Sequence, residues 1–161
     1  VIRHLNGHDL VSVVDFLNTV FDKTYDFYIT NNRERKFLKN NWKLTEKILK
    51  YQEIICIENK VIDGLMLIYR SKGFRPYAKL LAKTEKDYEG LIKFLTWNYK
   101  EEIFLKVKKN NILIKILFTK IFEKGIMKYI PKSNFIVIGD RGSEILLKKE
   151  KGVKYEFTNK Y

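Results

Sequence analysis

The chain has 161 residues, of which 45% are hydrophobic and 14% aromatic, so it is long and apolar enough to bury a core, and pure disorder is excluded. Lys and Arg number 32 against 19 Asp and Glu, leaving a net charge of +13, a field that draws polyanions such as nucleic acid or nucleotide phosphates. The single cysteine, Cys56, excludes an intramolecular disulfide, and no stretch approaches the roughly 18 uncharged apolar residues of a membrane helix.

The composition is rich in Lys, Ile, Asn and Tyr and poor in Pro and Ala. An AT-rich genome imposes the same bias, so many of the lysines are expected simply to cover the surface. Asp9 and Asp15 interrupt any leader-like pattern near the start. A cytoplasmic protein with no membrane partner is therefore expected, folded as one domain over residues 1–161.

In chain order, Val1-Ile2-Arg3-His4 reads as a short strand. Asp9 is placed to cap a helix whose apolar positions run from Leu10 through Val13, Val14, Phe16, Leu17, Val20 and Phe21 at helical spacing. A polar, basic stretch follows from Asn31 to Lys43. Thr45 opens a brief second helix through Tyr51. Glu53 to Glu58 and Val61 to Arg70 form a hairpin around Asn59-Lys60.

After the break at Ser71-Lys72-Gly73, Tyr77 to Ala82 is a strand. Thr84 caps the next helix, with Leu91, Phe94, Leu95 and Trp97 on its buried side. Glu102 to Val107 alternates as a strand. Asn110 or Asn111 caps a helix predicted to continue to about Tyr129, before Pro131. Phe135 to Ile138 and Glu144 to Leu147 make a last hairpin around Gly139-Asp140-Arg141-Gly142. In the tail from Lys151, Val153, Tyr155 and Phe157 alternate like an edge strand. The predicted order is β-α-α-β-β-β-α-β-α-β-β.

Familiar catalytic signatures are missing from this pattern. His4 and His8 straddle the turn Asn6-Gly7 without a cluster of further ligands, so no metal site is expected. Ser12 and Cys56 lack a nucleophile-turn context. No phosphate loop or dinucleotide fingerprint occurs. Cys56 lies in the run Ile54-Ile55-Cys56-Ile57 and reads as a small buried hydrophobe. Two stretches interleave base and aromatic side chains: Arg33, Arg35, Lys36, Phe37, Lys39 and Trp42, then Tyr69, Arg70, Lys72, Phe74, Arg75 and Tyr77. Both could hold phosphates and stack bases, or could serve as rim packing beside solvated charges.

The element order resembles that of the Gcn5-related N-acetyltransferases (GNAT). Several local patterns carry the resemblance. The opening strand and long first helix look like the family's start. The hairpin from Ile55 to Tyr69, with its Asn59-Lys60 turn, is similar to the family's second and third strands. Ile103 to Val107, followed by Asn110-Asn111 and an apolar helix, looks like the fifth strand and fourth helix. Asn134 to Gly142 resembles the closing hairpin. The resemblance implies an α/β fold with a central mixed, mostly antiparallel sheet flanked by helices.

It also implies a function: transfer of an acyl group from acetyl-CoA to an amine. Carried over by position, the backbone of Leu80, Leu81 and Ala82 would hold the thioester arm. Lys83 and Lys86 would face the diphosphate. Asn111 and Phe118 would border the cofactor, and Tyr69, Arg70, Phe74 and Tyr77 would line the substrate cleft. No residue is assigned as catalytic. The family's loop Arg/Gln-x-x-Gly-x-Gly/Ala is replaced by Ala82-Lys83-Thr84-Glu85-Lys86-Asp87-Tyr88-Glu89-Gly90, with one glycine and three acids. The position matching the family's acid tyrosine is Phe118, which has no hydroxyl; Tyr129 lies further on. Glu58 and Glu102 are the nearest matches to its glutamate base. These departures open the alternative of a non-catalytic module that binds nucleic acid or a protein partner through the basic surface.

Overall fold

The computed structural model describes residues 1–5, 9–23, 53–70, 73 and 75–151. The predicted second helix near Thr45, the basic stretch from Asn31 to Lys43, and the tail beyond Lys151 lie outside the described residues. The chain divides into two compact units, Val1–Leu91 and Ile92–Tyr161.

The first unit is built on four strands, β1 (Ile2–His4), β2 (Glu53–Asn59), β3 (Val61–Tyr69) and β4 (Tyr77–Ala82). Each pairs antiparallel with the next. Helix α1 (Leu10–Lys23) provides Val13, Phe16, Leu17 and Val20, which pack with Cys56, Ile62, Leu65 and Leu81 in one core. This is the i, i+3, i+4, i+7 stripe read in the sequence. The β2–β3 turn falls at Lys60, whose φ of 74° helps the chain reverse between the paired residues Asn59 and Val61.

Strict alternation would send Ile62 and Leu65 to opposite faces of β3, yet both lie in the α1 core. The register explains it. Ile57 pairs with Gly64, whereas the next residue, Glu58, pairs with Ile62. Asp63 is therefore an additional residue on β3, a bulge that flips the parity of the strand. Its freed groups are used: the Asp63 carbonyl accepts from the Lys83 amide at 3.1 Å, and Asn59 donates to its carboxylate at 3.1 Å.

Helix α2 (Glu85–Asn98) starts as predicted. Thr84 Oγ accepts the Asp87 amide at 3.2 Å and donates to the Asp87 carboxylate at 2.8 Å, a reciprocal cap. The buried side consists of Tyr88, Leu91, Ile92, Leu95 and Thr96, with Phe94 half-buried. Trp97, expected there, is instead 50% exposed. It sits six positions after Leu91 and two after Leu95, which rotates it off that stripe. Gly90 brings the helix against the first unit's strands, since a Cβ there would lie 3.5 Å from Ile57 Cδ1 and 3.9 Å from Ile2 Cδ1.

In the second unit, β5 (Ile103–Lys108), β8 (Phe135–Asp140) and β9 (Glu144–Lys149) form antiparallel ladders with β9 in the middle. Helix α3 (Ile112–Leu117) is capped by Asn111, whose side chain accepts the Leu113 amide at 2.8 Å. The long helix predicted to reach Tyr129 does not form. At Phe118 the backbone turns extended, with φ −136° and ψ 150°. Strands β6 (Phe118–Glu123) and β7 (Ile126–Pro131) follow as a separate two-stranded hairpin. Its two-residue loop, Lys124-Gly125, has φ of 51° and 77°, the left-handed pair that a tight hairpin requires. A glycine mid-helix is unfavourable by about 1 kcal/mol relative to alanine. The segment is also rich in Thr, Ile, Phe and Tyr, which favour strands.

Lys149 is the third inward residue of β9 after Ile145 and Leu147, and all three are buried. It pairs with Ile103 on one side and Phe135 on the other. Its ammonium reaches the Glu150 carbonyl at 3.4 Å. Desolvation pushes its pKa below the ordinary lysine range, opposed by the charge of Glu101.

Two outcomes follow from these elements. Thr84→Ala lowers stability by about 1 kcal/mol in urea denaturation, and Thr84→Ser recovers most of it. Lys149 titrates lower in the folded chain than in the unfolded one. Between those two values the native state binds fewer protons, so this group's contribution to stability rises with pH. Lys149→Met is therefore more stable than the parent at neutral pH, and the gap narrows as denaturation is repeated toward pH 10.

Candidate functional site

The residues that sequence reading assigns to the cofactor begin on β4. Leu80, Leu81 and Ala82 are all buried. They pair with Met66, Leu65 and Gly64 of β3. Leu81 belongs to the α1 core. The strand's main chain is thus positioned by packing beneath it, and the chain then leaves through Lys83-Thr84 into α2.

The start of α2 is where a diphosphate would meet free amides and the positive end of a helix. The side chains there are arranged differently. Thr84 occupies the Asp87 amide. Glu85 and Asp87 place two carboxylates in the first turn, which stabilise the helix and repel phosphate. Lys83 forms an ion pair with Asp63 at 3.2 Å and lies 5.8 Å over the Phe16 ring. Lys86 is exposed on the same turn.

The residues assigned to the substrate cleft gather at the other end of β4. Tyr69 and Tyr77 are a directly paired couple across β3 and β4, 41% and 44% exposed. Arg70 stands 3.9 Å from Glu53. Phe74 lies outside the described residues. Ala82 lies five positions after Tyr77, about 17 Å along the strand at the usual rise. The sequence-based site is thus two groups at opposite ends of one strand.

Asn111 and Phe118 lie in the second unit, and both have structural tasks there. Asn111 is 5% exposed and caps α3. Phe118 was expected on a helix, as the counterpart of an acid tyrosine. It instead closes α3 and opens β6, is 2% exposed, and meets the Tyr129 ring edge-on at 6.0 Å. Tyr129, expected further along that helix, stands on β7 opposite Lys120. Of the two candidate bases, Glu58 accepts from Arg3 at 2.8 Å and Glu102 pairs with Lys148 at 3.0 Å. Among the described residues no group of three or more His, Cys, Asp or Glu could hold a metal ion.

Two features of the first unit escaped the sequence reading. Arg3 donates to both oxygens of Asp9 at 2.7 Å and to Glu58, tying β1, the start of α1 and the β2 end together. These charge-assisted bonds raise the Arg3 pKa further. The other is the Asp63–Lys83 pair. Its signal was present as the odd spacing of Ile62 and Leu65, which a bulge-free hairpin cannot place on one face.

No family model matches the chain, and no curated protein matches it in sequence. Solved structures do share its fold. It is similar to the PaiA N-acetyltransferase from Thermoplasma acidophilum in complex with coenzyme A, at 15% identity, over 93% of this chain and 98% of that one, with a TM-score of 0.57. It is similar to the histone acetyltransferase HPA2 and related acetyltransferase from Corynebacterium glutamicum, at 12% identity, over 95% and 97%, with a TM-score of 0.57. It is also similar to a GNAT-family acetyltransferase from Streptococcus pneumoniae, at 15% identity, over 94% and 99%, with a TM-score of 0.52. With this likeness running over more than nine-tenths of the residues, the chain has the fold of the Gcn5-related N-acetyltransferases.

Proposed function

We propose that the chain is a divergent N-acyltransferase that moves an acyl group from a CoA thioester to an amine. The observation that carries this reading is the fold itself, shared end to end with acetyltransferases, one of them solved with coenzyme A. The bound thioester supplies the activated acyl carbon; the chain's own residues hold and orient it. In this reading the main chain of Leu80 to Ala82 aligns the thioester arm, and Lys83 and Lys86 meet the diphosphate. Tyr69, Arg70, Phe74 and Tyr77 receive the amine. With Phe118 lacking a hydroxyl, rate enhancement rests on placing a neutral amine against the carbonyl rather than on a tyrosine acid.

A second reading is favoured by the start of α2. Two carboxylates and an occupied amide suit a helix cap better than an anion site. The chain would then be a non-catalytic module of the same fold, binding nucleic acid or a protein through its basic surface.

Thermal melting with coenzyme A separates the two. Under the acyltransferase reading, ligand at about 100 times Kd adds roughly 2.7 kcal/mol of stability. The gain shrinks with salt and in Lys83→Ala and Lys86→Ala, and acetyl-CoA with an amine releases free thiol. No rise at millimolar coenzyme A removes the enzyme and leaves the module.

A further inference from the structure

The β6–β7 hairpin exposes an unusual share of large apolar side chains. Ile121, Phe122, Ile126, Met127 and Ile130 are 40%, 67%, 62%, 44% and 44% exposed. Cross-strand pairing sorts them onto both faces. Phe122 and Met127 are partners on one face, while Ile121, Ile126 and Ile130 lie on the other, opposite Lys128, Glu123 and Thr119. A two-stranded hairpin with apolar residues on both faces has no side to bury against a single flat partner. Lysines accompany them: Lys120 on β6 and Lys124 in the turn, with Lys128 on β7 paired to the one acid, Glu123, at 3.1 Å, and Lys132 just beyond β7 donating to the Lys115 carbonyl at 3.1 Å.

We infer that this hairpin is a membrane-contact element that inserts its tip into the interface of an anionic lipid surface. Lipid surrounds an inserted hairpin and so covers both faces at once. The lysines complement anionic headgroups, and their stems let the charge stay at headgroup level while the apolar residues enter. Self-association through this hairpin would bring like charges together. Nucleic acid would meet one stacking ring, Phe122, and would leave Ile121, Ile126, Met127 and Ile130 uncovered, since aliphatic side chains offer no stacking face. No helix among the described residues is long and apolar enough to cross a bilayer, and this contact requires none. The net charge of +13 adds a general attraction to the same surface.

The experiment is co-sedimentation of the full chain with vesicles of phosphatidylcholine alone, or mixed about three to one with phosphatidylserine. The chain is expected to pellet with the mixed vesicles. Phe122→Ser with Ile126→Ser keeps every charge and is expected to lower the partition roughly tenfold. Phe122→Trp is expected to gain blue-shifted emission on mixed vesicles, measured against the parent. Circular dichroism checks that each variant is folded, and Lys120→Gln with Lys124→Gln is a second pair expected to weaken binding. Equal partition of the serine pair and the parent would overturn the inference, because the overall charge alone would then suffice. Absence of pelleting with mixed vesicles would overturn it too. So would a dimer in sedimentation velocity that the serine pair abolishes, which would assign the hairpin to a second copy.

Discussion

The extra residue in β3 governs much of the first unit. Without Asp63 as a bulge, the β2–β3 hairpin would run on in strict alternation, and Ile62 would turn away from α1. With it, Ile62, Leu65 and Leu81 meet Val13, Phe16, Leu17 and Val20 in one core. The same residue then fixes the exit of β4, taking both the amide and the ammonium of Lys83. A packing device and the orientation of a candidate ligand-facing lysine thus share one residue, the first through its main chain and the second through its carboxylate. Any anion that recruits Lys83 has to compete with an intramolecular partner already in place.

The start of α2 expresses a related tension. A helix terminus can use its first amides to hold an anion or to accept a side-chain cap, but one amide cannot do both. Thr84 and Asp87 take the second course. Such a cap is a local solution that stabilises the helix whatever lies nearby, whereas a phosphate loop leaves amides open and glycines strained for the sake of a ligand. The fold of an acetyltransferase is therefore combined with a helix start tuned for its own stability.

Much of this was legible beforehand. Periodicity placed α1, the β2–β3 hairpin, β4 to the residue and the Thr84 cap, because each carries a strong local signal that tertiary packing reinforces. The order of elements was enough to point to the GNAT plan. The failures have physical causes. From Ile112 onward the apolar spacing fits a helix and a strand almost equally, and Lys124-Gly125 is a weaker turn signature than Asn-Gly, so a short helix plus hairpin was read as one long helix. That error moved Phe118 and Tyr129 onto the wrong element. Trp97, read with Leu91, Phe94 and Leu95 as one buried side, stands off that stripe by its angle on the helix. Lys149 was invisible because alternation alone gives no warning that a lysine falls on the inward face. At the candidate site, the residues of β4 were assigned by resemblance, and which lysine would already be paired depended on a bulge whose one trace in the sequence is the odd spacing of Ile62 and Leu65.

The burial of Cys56 has a use of its own. It is the one cysteine in the sequence, is fully buried, and its thiol is pushed above the usual range by desolvation. It lies in the core shared by α1, β2 and β3. A thiol reagent can reach it only when that core opens, so labelling supplies a built-in clock for local unfolding. The clock reads the first unit without any engineered probe, and its rate set against global denaturation tells how cooperative the four strands are with the rest of the chain.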